Sequence, residues 1–125
     1  MNPLAAEWIA KAEADYAGAS GLNRRKRPLP DLVCFHCQQC AEKYLKAFLQ
    51  KSSVAFPKTH VLVDLLNLAS TVNAKLTSLN PMVLVLEDFA VKFRYPGFDA
   101  TTAQARAAMK AIRRIRRAIR KLLGL

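Results

Sequence analysis

The sequence predicts an all-α protein, a bundle of five helices in one domain covering residues 1–125. Five segments carry apolar residues at the three- and four-residue spacing of a helix face. The prolines stand at the ends of these segments or between them, where a helix tolerates them. No segment has the two-residue alternation of a strand: Val83 and Val85 come closest, but Pro81 before them and Lys92 after them fit a helix.

Three of the predicted helices are long and two are shorter. They run approximately from Pro3 to Ser20, from Asp31 to Lys51, from His60 to Thr71, from Asn80 to Phe93, and from Thr101 or Thr102 to Leu122 or Leu123. Gly18 and Gly21 weaken the end of the first helix. Asp31, Thr59 and Asn80 are expected to cap the second, third and fourth helices, because such side chains accept hydrogen bonds from the free N–H groups of a first turn.

Composition excludes several classes of protein. Apolar residues make up 52% of the chain, which excludes a disordered protein. The longest apolar run, from Met82 to Leu86, is far shorter than the roughly 18 residues of a membrane-spanning helix. Glu7 and Glu13 stand where a signal peptide is basic and then apolar. The 3 cysteines lack the spacing of a disulfide framework, so we expect a cytoplasmic protein. From the short apolar runs we expect no membrane contact.

Positive charge is the main electrostatic feature, with 20 Lys and Arg against 9 Asp and Glu. The fifth helix carries cations opposite its apolar stripe and no acid, and the loop after the first helix is basic too. The candidate nucleic-acid surface consists of Arg24, Arg25, Arg27, Arg113, Arg116, Arg117 and Arg120. Clustered cations release counterions when they meet phosphates. The alternatives are a solvated face or a surface that matches an acidic partner, since no aromatic residues for base stacking are interleaved here.

Cys34, Cys37 and Cys40 form a C-x-x-C-x-x-C pattern that includes His36. Within one helix these side chains spread round the surface and supply at most two ligands at once, whereas zinc takes four. We therefore expect no metal, and small cysteines standing where alanine also fits. His36 and Cys40 are near enough for a nucleophile and its base, but no carboxylate is evident to orient the histidine.

Two further charged groups have structural interpretations. Glu42 and Lys46 form an i, i+4 pair in the favourable order, which is typical of a solvated helix face. Glu87 and Asp88 stand near Arg94 and are expected to form an ion pair with it rather than an acid–base site.

Three blocks of the sequence resemble HEPN domains. The segment from Phe35 to Ala47, FHCQQCAEKYLKA, resembles the second-helix signature of that family. Lys58-Thr59-His60-Val61-Leu62 and Arg94-Tyr95-Pro96 resemble two later blocks, and the three keep the family order across nearly the whole chain.

The resemblance implies a five-helix, mostly up-and-down bundle that pairs as a homodimer. Small prokaryotic members are often encoded beside a minimal nucleotidyltransferase, in modules that are in many cases toxin–antitoxin systems. Some members are metal-independent ribonucleases, and others were proposed to bind nucleotides. The ribonucleases use an Arg followed four to six residues later by a His.

The ribonuclease motif is incomplete in this chain. Arg94 is followed by Tyr95, Pro96, Gly97, Phe98, Asp99 and Ala100, and no His follows His60. Arg94 and His60 are catalytic candidates only if the protein is a ribonuclease, which requires that the fold place His60 or His36 beside Arg94. The sequence therefore favours a protein that is not an enzyme.

The function expected from these observations is that of a homodimeric partner of a minimal nucleotidyltransferase, without a cofactor and with a nucleotide as its ligand. The alternative is an RNA-binding protein or ribonuclease that uses Arg94 and the basic C-terminal helix. The residues expected to bind a nucleotide or phosphate are Gln39, Lys43, Lys58, His60, Arg94 and Tyr95. The sequence does not indicate which face forms the dimer. The second and fourth helices are candidates, because Cys34, Phe35, Val85 and Phe89 exceed what one core-facing stripe needs.

Overall fold

Helices make up most of the computed structural model, which describes residues 1–93 and 95–125. The α-helices in these ranges are α1 Pro3–Arg24, α2 Pro30–Lys51, α3 Leu62–Val72, α4 Asn80–Lys92 and α5 Thr102–Leu122, and a 3₁₀ helix, Ala74–Leu79, precedes α4. No strand occurs within the described ranges, so the all-α prediction with five α-helices is confirmed.

The centre of the bundle is α2, which packs against α1, α3, α4 and α5. Its large side chains, among them Tyr44, Leu45 and Leu49, are fully buried. Polar residues of this helix are covered by the same neighbours, and Gln38, Glu42 and Lys46 are buried. Burial of polar groups requires partners for them, so α2 is where side-chain networks are expected.

Contacts along α2 fix the directions of its neighbours. Along α2, the contacts with α5 and the residue before it advance in the same chain direction, from Asp31–Ala100 through Cys37–Met109 to Tyr44–Arg120. The contacts with α1 run in the opposite direction, from His36–Asp15 through Tyr44–Glu13 to Lys46–Trp8. Helices α1 and α2 are therefore antiparallel, while α2 and α5 are parallel. Strict alternation of direction would make α2 and α5 antiparallel, so the bundle departs from an up-and-down order once between them.

The predicted cap of α2 is wrong. The helix begins at Pro30 with Leu29 as its N-cap, which has no side-chain hydrogen bond. Proline suits this position because a first-turn residue needs no N–H partner. The carboxylate of Asp31 instead accepts a hydrogen bond of 2.6 Å from the backbone N–H of Ala100, just before α5.

Helix α3 is capped from a distance. It begins at Leu62 rather than His60, and Thr59 accepts a hydrogen bond from Val61 outside the helix. The first N–H groups of α3, those of Leu62 and Val63, donate to the carboxylate of Glu87 on α4, each at 3.2 Å. A carboxylate near a helix N-terminus is favoured by the helix dipole, so Glu87 ties α4 to α3.

Two further boundaries differ from the prediction. The 3₁₀ helix runs directly into α4, so Asn80 has helical dihedral angles and is the first residue of α4 rather than its N-cap. Asn73 caps that 3₁₀ helix instead, by accepting from the N–H of Lys75. Helix α1 continues past Gly18 and Gly21 to Arg24, because burial of Ala19 against the core outweighs the modest cost of glycine in a helix.

The predicted start of α5 is confirmed. Thr101 and Gln104 form a reciprocal capping box at its N-terminus. The apolar stripe is buried from Ala105 to Ile119, and the cations occupy the opposite face. None of the helices in the described chain combines the length and the apolar character that crossing a bilayer requires.

Candidate functional site

The carboxylate of Asp15 on α1 joins two side chains of α2. Nδ1 of His36 lies 2.8 Å from Asp15 Oδ1, and Nζ of Lys43 donates to Oδ2 at 2.5 Å. His36 keeps 30% of its side chain exposed and Lys43 keeps 21%. The expectation that no carboxylate orients His36 is therefore wrong, because antiparallel packing brings Asp15 beside it.

A second carboxylate, Glu42, joins His60 to Lys46. Nδ1 of His60 lies 2.9 Å from Glu42, and Nζ of Lys46 donates to the same carboxylate at 3.2 Å. Glu42 and Lys46 are buried, so their predicted place on a solvated face is wrong. Lys46 packs against α1, where its nitrogen lies over the ring of Trp8, 5.3 Å from the ring centroid. His60 is 80% exposed and has one ring nitrogen fixed by Glu42.

The loop from Tyr95 to Ala100 is tied to the start of α2. Ala100 donates to Asp31, whereas His60 contacts Glu42, eleven residues further along the same helix. At 1.5 Å per residue these two anchor points lie about 16 Å apart along α2. Within one protomer, the end of this loop at Ala100 is therefore separated from His60 along α2.

The three cysteines are buried and packed in the core. Their burial agrees with the expectation of small side chains that stand where alanine also fits. Cys37 Sγ lies 3.5 Å from Met109 Sδ on α5. Burial is the main cause that raises the pKa of Cys34 to about 11, and it raises the pKa values of Cys37 and Cys40 further. The thiols are therefore protonated at neutral pH and are not nucleophiles.

Glu13 on α1 is the centre of a network that holds part of α5. Arg116 donates to its carboxylate at 2.8 and 2.6 Å, and Arg120 donates at 3.4 Å. The hydroxyl of Tyr44 donates to Glu13 at 2.6 Å and accepts from Arg120 at 3.2 Å. The hydrogen bond from Arg116 is the main cause that lowers the pKa of Glu13 to about 2. Burial is the main cause that raises the pKa of Tyr44 to about 12.

Other cations of α5 make no ion pair within the described residues. Two grooves flank the helix there. The first, about 580 Å³, lies between α5 and the 3₁₀ helix and has Lys110, Arg113, Arg114, Arg117 and Lys121 along it. We name it the α5 groove. The second, about 320 Å³, is lined on the α1 side by Tyr16 and by Arg113, Arg116, Arg117, Arg120 and Lys121.

The residues predicted to bind phosphate or a nucleotide fall into separate places. Gln39 donates to Gln38, which donates to the backbone carbonyl of His60, so Gln39 and His60 are linked. Lys43 is bound to Asp15 instead. Lys58 and Tyr95 are exposed. Arg94, together with its predicted ion pair with Glu87 or Asp88, lies outside the described residues.

The predicted nucleic-acid surface is likewise divided. Arg24, Arg25 and Arg27 are exposed at the end of α1 and in the loop after it. Arg113 and Arg117 are exposed along both grooves, whereas Arg116 and Arg120 are partly buried beside Glu13. The sequence pattern did not distinguish the free arginines from the held ones, because their difference depends on a carboxylate of another helix.

Comparison with known proteins gives two results. The HEPN domain family model matches residues 5–122. Among solved structures, the archaeal HEPN homologue ST0689 has 23% identity over 94% of this chain and 96% of its own, with a TM-score of 0.75. The protein TT1696 from Thermus thermophilus has 22% identity over 97% of this chain and 98% of its own, with a TM-score of 0.78. The search of curated proteins matches none to this chain.

Proposed function

Because the chain belongs to the HEPN domain family, we propose that it is a homodimeric HEPN module that partners a minimal nucleotidyltransferase. In this proposal the pair forms a two-gene system of the toxin–antitoxin type, and the HEPN chain binds without cleaving RNA. It acts in the cytoplasm and needs no cofactor.

The observation that carries this proposal is the position of the two histidines. His36 is bound to Asp15, and His60 is bound to Glu42, about 16 Å along α2 from the anchor of the 95–100 loop. Ala100, at the end of that loop, contacts the Asp31 side chain only through its own backbone N–H. General acid–base catalysis needs a titratable group within hydrogen-bond reach of the reacting atoms.

An exposed apolar strip at the start of α2 supports the homodimer. Leu29, Leu32 and Phe35 recur every three residues and are 38%, 45% and 36% exposed. Phe98, 51% exposed, lies in the loop that Asp31 ties to this end of α2. The candidate dimer face needs one correction, since Cys34 is fully buried in the core and is not available to a second copy.

The second groove supports a nucleotide as the ligand. Its cations are suited to phosphate, and the ring of Tyr16 stands at its wall with the Arg116 guanidinium 4.3 Å from the ring centroid. A volume of about 320 Å³ suits a single nucleotide better than a folded RNA.

The unpaired cations of α5 favour a second candidate function, an RNA-binding protein that uses this helix. In that case binding would weaken steeply with salt. Arg94 and His60 become catalytic candidates only if RNA is cleaved.

A tagged pull-down from native lysate, with and without nuclease and identified by mass spectrometry, tests the proposal. We expect a stoichiometric nucleotidyltransferase that survives nuclease treatment, and sedimentation of the purified chain as a dimer. Recovery of RNA with a scatter of RNA-dependent proteins would overturn the proposal in favour of the second candidate.

A further inference from the structure

The α5 groove combines unpaired positive charge with apolar surface. Lys110 and Arg114 are exposed along it, and neither has an acidic partner within the described residues. Half-buried Ala118 of α5 and buried Leu79 of the 3₁₀ helix line it as well and form its apolar floor. The methylene stems of long cationic side chains add to such an apolar floor.

The groove continues past the end of the first hollow. A second hollow of about 250 Å³ shares Ser78, Leu79, Ala118 and Lys121 with it. There Leu122 extends the apolar floor, and Lys75 of the 3₁₀ helix adds a cation on the opposite rim. From Lys110 to Lys121 the groove follows α5 for about 16 Å, the length of three helical turns.

The charge of the α5 groove is not compensated by the described part of its own protomer. Glu13 forms ion pairs with Arg116 and Arg120 on the side of α5 that faces α1. Among the residues that the structure describes, no acid lines either hollow of the groove. A row of unpaired cations therefore faces solvent, and a complementary ligand has to be anionic along its length.

The floor distinguishes between the two anionic ligands that would fit the rim. An RNA backbone offers phosphates and hydroxylated riboses but no apolar side chains, and its bases bind best where aromatic rings stack on them. No aromatic residue of the described ranges lines the α5 groove. An amphipathic helix with carboxylates on its flanks and aliphatic side chains on its inner face satisfies both the rim and the floor.

We infer that the α5 groove binds an acidic, amphipathic helical segment of a partner protein. This inference rests on the proposed function and deepens it, because it assigns the chemistry of the segment by which the nucleotidyltransferase docks. Carboxylates of the segment pair with Lys110 and Arg114 at the rim, and its aliphatic side chains pack on Ala118 and Leu122.

Fluorescence anisotropy with two labelled peptides tests the inference. The probe is a peptide of about twelve residues with Leu at helical i, i+3, i+4 and i+7 positions and Glu elsewhere, and its control is a scrambled peptide of the same composition. We expect the patterned peptide to bind at least about fivefold tighter than the scrambled one, because only the patterned helix places its leucines on one face. Equal binding of the two peptides would overturn the inference.

Charge-matched variants distinguish peptide binding in the α5 groove from general attraction of an acidic peptide to a basic protein. Lys110→Glu with Arg114→Glu changes two cations of the α5 groove, and Arg24→Glu with Arg25→Glu makes the same charge change at the end of α1. We expect the first pair to weaken peptide binding about tenfold or more and the second pair to weaken it less than about threefold. Equal losses, or an RNA of about 20 nucleotides that outcompetes the peptide, would contradict the inference.

A neutral variant tests the floor. Ala118→Gln fills it without a charge change and keeps a good helix former at a half-buried position. We expect it to weaken the patterned peptide while circular dichroism and thermal unfolding stay close to those of the wild type. Unchanged peptide binding would show that the floor is not used and would overturn the amphipathic part of the inference.

The pull-down distinguishes failure of this inference from failure of the proposed function. If the groove variant retains the nucleotidyltransferase as well as the Arg24→Glu, Arg25→Glu control does, the inference fails and the proposed function stands. If neither variant nor wild type retains it, while the wild-type groove still binds the patterned peptide selectively, the proposed function fails and the assigned ligand chemistry stands.

Discussion

Arg116 on α5 binds the carboxylate of Glu13 on α1 through two hydrogen bonds, although the two residues are 103 positions apart in the sequence. This pair divides the basic helix into two parts. One part stabilises the bundle through Glu13 and Tyr44. The other part, along the α5 groove, is free to bind a ligand.

Glu13→Gln is expected to lower the free energy of unfolding by about 1–2 kcal/mol, because an uncharged amide loses the paired geometry with Arg116. The estimate is modest since both side chains keep roughly a third of their surface exposed. Urea unfolding followed by circular dichroism measures it. Glu7→Gln is the matched control on the exposed face of the same helix, and an equal effect of both substitutions would contradict a special role for Glu13.

The contribution of Glu13 is expected to depend on pH. The hydrogen bond from Arg116 lowers the folded-state pKa of this carboxyl to about 2, below its ordinary value of 4.5. Between these values the unfolded chain binds more protons, so the stabilisation is complete above about pH 4.5 and disappears as the pH falls towards 2. The difference in unfolding free energy between wild type and Glu13→Gln should therefore shrink as the pH falls from about 4.5 to about 2. A constant difference would contradict this assignment.

Glu87→Ala is expected to destabilise the protein by about 1 kcal/mol, because the first two N–H groups of α3 lose their acceptor. Asp88→Ala is the matched control, since Asp88 is the exposed neighbour on α4. Thermal unfolding of both variants measures the difference. Equal shifts in Tm would show that the capping bonds contribute nothing measurable.

The native thiols are expected to react slowly with a disulfide reagent at about pH 8. All three cysteines are buried, and burial raises their pKa values, that of Cys34 to about 11. Absorbance of the released thiolate should show three equivalents only after denaturation. Rapid reaction of one equivalent in the native protein would identify an accessible thiol that contradicts this packing.

Local sequence signals predicted most of the fold. The apolar stripe of α5 and its start at Thr101 or Thr102 depend on neighbours three and four residues away, and both are confirmed. The errors occur where a distant residue supplies the partner. Asp31 has the residue type of an N-cap, but its carboxylate accepts a hydrogen bond from the backbone N–H of Ala100. Helix α3 is capped by Glu87 of α4 rather than by its own flanking residues.

Much less of the candidate site could be predicted. Lys43 and His36 share a face of α2, which their spacing indicates, but Asp15 joins them through the packing of α1. The free and held arginines of α5 have the same residue type and spacing, so only the position of Glu13 separates them. Tertiary contacts between helices carry this information, and a single sequence does not record them.

The most direct test of binding without cleavage is a metal-free RNA cleavage assay with the purified chain. We expect labelled RNA to stay as intact with the wild type, Arg94→Ala or His60→Ala as it does in a control with buffer alone. Cleavage by the wild type that is lost in either variant would contradict this expectation and would make the substituted side chain part of a catalytic site.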